Sequence, residues 1–263
     1  MCGDSTNSDD VNSLMNKKKA NLLLTDPPYG VSYTGNKNNQ NWDMIANDDL
    51  RGDNLNNFLL VSFKNFFTNS IANAPAYIFY ASSTHRQFEN AVEMSGMKVR
   101  QQLIWAKHLV MGNSDYHWTH EPILYCGKGK DKPIFYGDRT NTTVLNKLEE
   151  VEKMSKEQLI TIVKGLKELQ TIQEIKKDTV NYDHPTQKPI AILTILIKNS
   201  SVLGDIVLDL FARSGSTLIA AQQLERKCYC MEFSPAFCDV IRKRYAKFIN
   251  KEEQWEKITP RIN

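Results

Sequence analysis

Asp26, Pro27, Pro28, Tyr29 and Gly30 stand just behind the apolar run Leu22, Leu23 and Leu24, and these residue types in this order suit the holding of an amine. Proline lacks a backbone N–H and fixes φ, so a turn built on two prolines aims its carbonyls outward as a preset acceptor array. An exocyclic amine on a purine or pyrimidine carries two hydrogens. The Asp26 carboxylate and the Pro27 carbonyl offer one acceptor for each, and Tyr29 offers a ring on which the heterocycle would stack. An ordinary strand-to-turn exit explains the prolines and Gly30 equally well. What decides between the two is the company these residues keep.

A second constellation lies near the other end of the chain. Val207, Leu208, Asp209, Leu210 and Phe211 read as a buried strand; Ala212, Arg213, Ser214, Gly215, Ser216 and Thr217 follow as a small-residue turn, and a helix runs on to Glu225. A turn of this kind opening a helix lets a ligand approach the backbone, as in nucleotide crevices. Glu232 ends the next strand, Cys228-Tyr229-Cys230-Met231, roughly 20 residues after the turn, where an acid suits a ribose diol. No lysine follows the turn as in a P-loop, which argues against ATP.

The elements that must position these groups alternate. Short β-rich runs at about 21–26, 76–81, 99–106, 121–126, 205–211 and 227–232 are separated by helical patterns at about 55–70, 84–95, 186–199, 216–225 and 235–250. This alternation predicts an α/β, doubly wound, mostly parallel sheet. The sequence opens abruptly at Cys2-Gly3-Asp4-Ser5, as though a strand had preceded it. Residues 144–178 differ in character: Leu159, Ile162, Val163, Leu166 and Leu169 fall at helical spacing, and Ser155 with Gln158 forms a capping box. The division expected is therefore 1–143 as one half of the domain, 144–183 as a helical insertion serving recognition or dimerisation, and 184–263 as the other half.

Composition narrows the classes. With 33 basic and 30 acidic residues in 263, net charge alone makes no case for nucleic acid; the basic excess sits in the middle and at the end, as in Lys128, Lys130, Lys132 and Arg139. Five cysteines, an odd number without disulfide or zinc spacing, indicate reduced thiols in a cytoplasmic protein. His117, His120 and Glu121 have no partner set to complete a metal site, so none is expected. No apolar stretch reaches membrane-spanning length, and Met1 opens no signal peptide.

Taken together, the motifs resemble the S-adenosylmethionine-dependent DNA amino-methyltransferases. The Asp-first motif is most similar to the N6-adenine enzymes, and its position ahead of the cofactor-type turn resembles the permuted beta subgroup. Gly3-Asp4-Ser5 resembles the family's turn toward the cofactor's adenine. His184-Pro185-Thr186-Gln187-Lys188-Pro189 resembles the segment at its methionine end, and the stretch from Asp115 to Glu121 resembles the motif before the late strand of the target-base half. The resemblance implies a permuted class I methyltransferase fold, S-adenosylmethionine as cofactor, double-stranded DNA as partner, a possible homodimer and a setting in restriction-modification. It implies Asp26, Pro27, Pro28 and Tyr29 as catalytic residues. Asp4, Thr186, Gln187, Lys188, Asp209, Phe211, Ser214, Gly215, Ser216 and Glu232 would hold the cofactor. The base, unreachable in a duplex, would be flipped out, with Asn141, Thr142 and Thr143 reading base edges and Lys128, Lys130 and Arg139 contacting phosphates.

In one place the chain departs from the family pattern: Arg213 stands where the cofactor turn carries its first glycine, which would give free φ and leave space. Three other readings stay open on sequence alone. The same fold would serve cytosine N4, whose enzymes more often begin the motif with Ser. RNA or protein amide methyltransferases more often begin it with Asn, in unpermuted order. A non-catalytic nucleic-acid-binding module would have let its cofactor site decay around Arg213.

Overall fold

The computed structural model describes residues 1–32, 45–111, 115–145 and 187–258. Seven strands form one sheet: β1 (Leu22–Thr25), β2 (Pro75–Phe79), β3 (Met97–Met111), β4 (Trp118–Lys128), β5 (Val144–Leu145), β6 (Ile206–Asp209) and β7 (Lys227–Cys230), in the order β5-β3-β4-β2-β1-β6-β7. β1 is parallel to β2 and β6, β6 to β7, and β3 to β5; β4 runs antiparallel to both β2 and β3. One reversed strand in an otherwise parallel sheet is the mostly parallel α/β arrangement expected.

The central strands are apolar without alternation because both faces are covered. Every residue of β1 and β2 is buried. Leu23 points to one face, with Phe63 and Phe66 of α2 (Gly52–Asn69) and Phe88 of α3 (His85–Met94). Leu22 and Leu24 point to the other, with Leu193 and Ile197 of α4 (Ile190–Ser200) and Ala220 of α5 (Ser216–Gln223). α6 (Pro235–Phe248) and the short α7 (Trp255–Ile258) complete the carboxyl-terminal side.

Leu22 and Leu23 pair with Val207 and Leu208. From β1 the chain winds by α2 to β2 on one side; from β6 it winds by α5 to β7 on the other. The point between β1 and β6 is thus where the winding reverses, and ligands bind at such a point beyond the carboxyl ends of the strands. Asp26 and Asp209 both lie there.

Three features depart from the expected elements. Helix α1 (Ser8–Met15) was not foreseen, although Asn7 caps it by accepting from the backbone N–H of Asp9 (2.9 Å) and Val11 and Met15 bury one stripe. β3 is longer than expected, and β5 is additional: it pairs Val144 and Leu145 with Ile104 and Trp105. The segment expected to begin a helical insertion therefore begins as a strand; the remainder, including Leu159, Ile162, Leu166 and Leu169, lies outside the described residues. At the amino end, residues 1–3 run beside Glu232, with Glu232 N–H donating to the Met1 carbonyl and Gly3 N–H to the Glu232 carbonyl, both at 3.0 Å. Among the described residues no helix is long and apolar enough to cross a membrane.

Candidate active site

The turn after β1 is fixed by a residue that the sequence did not single out. The Asp48 carboxylate accepts from the backbone N–H groups of Tyr29 (2.9 Å) and Gly30 (3.0 Å). Gly30 has φ +69°, and a Cβ there would lie 2.6 Å from the Leu50 carbonyl, so only glycine fits. Pro27 and Pro28 bring no N–H groups to be satisfied.

Asp26 is buried at 8% exposure within a knot of charges. The Tyr29 hydroxyl lies between two carboxylates: it hydrogen-bonds Asp26 Oδ1 and stands 2.7 Å from Glu121 Oε1. Lys188 Nζ donates to Asp26 Oδ2 at 2.7 Å and to the Tyr29 hydroxyl at 3.2 Å, and it pairs with Glu121 at 3.0 Å. Lys107 closes on the other Glu121 oxygen. Burial pushes the Asp26 carboxyl up, but the charges of Arg213 and Lys188 outweigh it and hold the group below its ordinary value. Glu121 is likewise pushed up by burial and held down by Lys188 and Lys107. Tyr29 moves the other way: burial and the two facing carboxylates raise its phenol well above the usual range, so it stays protonated.

Beyond β6 the second constellation is equally well tied. Asp209 Oδ1 accepts from the Thr25 hydroxyl (2.8 Å) and from the Phe211 N–H (3.1 Å), joining the two strand ends directly. Burial pushes its carboxyl up to about 6. Gly215 caps α5 at φ +75°, with Ile241 filling the space where a Cβ would be. Arg244 donates to the Ser214 carbonyl and approaches the Ser214 and Ser216 hydroxyls. Glu232 accepts from Arg213 N–H (2.9 Å) and Ser234 N–H (3.0 Å), one on each oxygen, and burial raises its carboxyl. Asp4, beside Glu232 through Gly3, accepts from the Thr6 N–H and hydroxyl on one oxygen. Each carboxylate keeps unused lone pairs. A recess lined by Thr25, Asp26, Phe79, Lys188, Asp209, Phe211, Arg213, Ser214 and Thr217, among others, connects the two constellations.

Arg213 adopts φ +48°, a left-handed backbone that a glycine would take without strain. Its side chain turns inward. NH1 pairs with Asp26 Oδ2 at 3.3 Å, NH2 donates to the Pro27 carbonyl at 3.2 Å, and the guanidinium lies 5.8 Å from the centre of the Tyr29 ring.

The structure thus brings together Asp26, Lys188, Asp209, Phe211, Ser214 and Ser216 around one recess; Pro27 and Tyr29 join them through Arg213 and Asp26, and Glu232 through the Arg213 backbone. Gln187 is half-buried at the start of the last described segment, and Thr186 lies outside the described residues. Lys188, expected among the cofactor residues, makes its polar contacts with Asp26, Glu121 and Tyr29. Of the expected recognition residues, Lys128 folds back onto the Ser70 carbonyl (2.8 Å) and the Phe67 ring. It lies seven residues along β4 from Glu121, about 23 Å away at strand rise. Asn141, Thr142, Thr143, Lys130 and Arg139 are exposed. Among the described residues no group of three or more His, Cys, Asp or Glu side chains is placed to hold a metal ion.

Comparisons with known proteins converge on one family. The model of the DNA methylase family N6_N4_Mtase matches residues 20–243. The chain is 24% identical over 247 residues to the type II methyltransferase M2.DpnII of Streptococcus pneumoniae, covering 88% of this chain and 84% of that protein. It is 25% identical over 234 residues to M.HinfI of Haemophilus influenzae, covering 85% and 62%. Among solved structures, M1.HpyAVI in complex with SAM superposes with a TM-score of 0.61 at 20% identity, over 92% of this chain and 96% of that one. The PvuII cytosine-N4-specific DNA methyltransferase gives 0.63 at 13% identity, over 97% and 90%.

Proposed function

Since the chain belongs to the N6/N4 DNA methylase family, we propose that it transfers the methyl group of S-adenosylmethionine to N6 of an adenine flipped out of double-stranded DNA. The observation that carries this reading is the recess joining the Asp26–Pro27 acceptor pair to the Asp209–Ser214 turn across the β1/β6 seam. The donor set fits the cofactor: acids at Glu232 and Asp4 keep lone pairs for hydroxyls and an amine, and apart from Arg213 the turn before α5 is made of small residues, Ala212, Ser214 and Gly215. When bound, S-adenosylmethionine supplies an electrophilic methyl group. The protein's part is positional. Asp26 and the Pro27 carbonyl hold the two hydrogens of the base amine, which turns the nitrogen lone pair out of the ring's conjugation and toward the methyl group. Asp26, kept ionised by the neighbouring cations Arg213 and Lys188, accepts the proton that becomes acidic once the nitrogen carries the methyl group, and no covalent enzyme intermediate is required.

Adenine is preferred over cytosine because the motif begins with Asp, and the order of the motifs supports the permuted beta subgroup. We further assign Asn141, Thr142 and Thr143 to base reading, and a role for residues 144–183 in DNA engagement or pairing of two copies, in a restriction-modification setting of the kind in which the type II relatives are named. Methylation-sensitive sequencing of DNA from cells expressing the chain tests the reading. N6-methyladenine at one sequence, absent with Asp26→Ala, is the expected result. N4-methylcytosine would reassign the base, and unmodified DNA would overturn the activity.

A further inference from the structure

Arg213 occupies the acceptor pair assigned above to the target amine. Its two terminal nitrogens reach Asp26 Oδ2 (3.3 Å) and the Pro27 carbonyl (3.2 Å), and its Cζ stands 5.8 Å from the Tyr29 ring centre, where the base would stack. A guanidinium is a planar N–C–N unit with N–H donors on its edge. The amidine edge of adenine or cytosine, an amino group beside a ring nitrogen on one carbon, has the same plane and the same amine donors. An arginine seeking only an ion pair would be satisfied by Asp26; this one also reaches a neutral carbonyl and lies against the aromatic ring. The side chain is 12% exposed, and its backbone is held in place by Glu232 at 2.9 Å.

We propose that Arg213 is a tethered stand-in for the target base: the site rests closed on its own guanidinium, and an extruded base must displace that side chain before it can react. The proposal rests on the reading of Asp26 and Pro27 as the amine's cradle. Charge supports it. Arg213 sets a third cation beside Lys107 and Lys188, and although Asp48 and Glu232 also attract it, its displacement takes one positive charge away from the place of a cationic methyl donor. Competition of this kind lowers the apparent affinity for substrate by the fraction of molecules that are open, so a protein nine-tenths closed binds about tenfold more weakly than its open form.

Arg213→Gly empties the cradle and suits the φ of +48° that the backbone already adopts. Calorimetry with methylguanidinium reads occupancy without reference to any activity. The variant is expected to bind methylguanidinium and the wild type not to, and Asp26→Asn in the variant background is expected to abolish the binding. In radiolabelled transfer at subsaturating DNA, the variant should be at least about tenfold faster. Methylguanidinium should inhibit it in competition with DNA and not with S-adenosylmethionine. No methylguanidinium binding by the variant, or measurable transfer by both proteins that is no faster in the variant, overturns the proposal. Normal methylguanidinium binding with no methyl transfer to DNA by either protein upholds the occupancy and instead overturns the methyl-transfer reading.

Discussion

Removing Lys188 tests the electrostatic basis of the site most directly. Its ammonium lies 2.7 Å from Asp26 and 3.0 Å from Glu121, and all three side chains are only 9–11% exposed. At an effective dielectric of about 20 each contact carries roughly 6 kcal/mol of attraction, most of it offset by the cost of desolvating the ammonium. Loss of one partner from a buried pair costs about 3–5 kcal/mol because the remaining charge is stranded. Here Arg213 still faces Asp26 and Lys107 still faces Glu121, so Lys188→Met should cost about 3 kcal/mol at pH 7; methionine keeps the aliphatic stem against Tyr29 and Phe79. Both acids are held below their ordinary values of 3.8 and 4.5. The stability they contribute is present above those values and lost as pH falls through the lower folded ones. The difference between wild type and variant should therefore be full at pH 7 and shrink below about pH 4.5. Urea unfolding across this range measures it. A loss under about 1 kcal/mol at pH 7, or one that grows toward acid pH, would refute the reasoning. The acid limb of the pH–rate profile should also move to higher pH in the variant, since Asp26 loses a cation.

Asp26→Ala should abolish methyl transfer while S-adenosylmethionine titrates within a few-fold of wild type; transfer near the wild-type rate would remove Asp26 from the mechanism. Glu232→Gln keeps oxygen and shape for the backbone contacts but weakens acceptance from ribose hydroxyls, so the dissociation constant for S-adenosylmethionine should rise, and an unchanged constant in calorimetry would make the acid structural. Asp209, with a folded value of about 6 against 3.8, favours the folded state when protonated, so stability falls as pH rises through that interval. Asp209→Asn should remove the slope and be more stable than wild type by about 2–3 kcal/mol at pH 7, an advantage absent near pH 3.5; equal thermal midpoints at pH 7 would contradict it.

What the sequence made legible was whatever one segment carries by itself. Leu22, Leu23 and Leu24 had to be a strand with both faces covered, and two prolines and a glycine had to turn the chain behind it; the turn before Ser216 announced the helix in the same way. Partners drawn from far along the chain were not legible. Asp48 holds the Tyr29–Gly30 turn from 18 to 19 positions away and sits in a stretch without periodicity. Glu121 was noticed as a neighbour of two histidines, yet its contacts are with Tyr29, Lys107 and Lys188, which only the pairing of β4 against β2 and β3 brings together. Helix α1 was missed although Asn7, Asp9 and Asp10 form a proper amino-terminal signal, because eight residues with two buried side chains leave little pattern.

The charges at the seam explain why two motifs far apart in the chain come together at one recess. Asp26 belongs to the end of β1, Glu121 to β4, Lys188 to the approach to α4 and Arg213 to the turn after β6. Any one of these buried charges would be strongly unfavourable alone, so each segment stabilises the geometry of the others, and the acceptor pair proposed for the amine is set only when both halves of the sheet have docked. Order along the chain is immaterial to that result; adjacency of β1 and β6 is what matters. The same adjacency lets Arg213, a residue of the cofactor-type turn, reach across to Asp26 and Pro27. On the function proposed above, a side chain in that position links what happens on the cofactor side of the recess to what can occupy the amine cradle on the other.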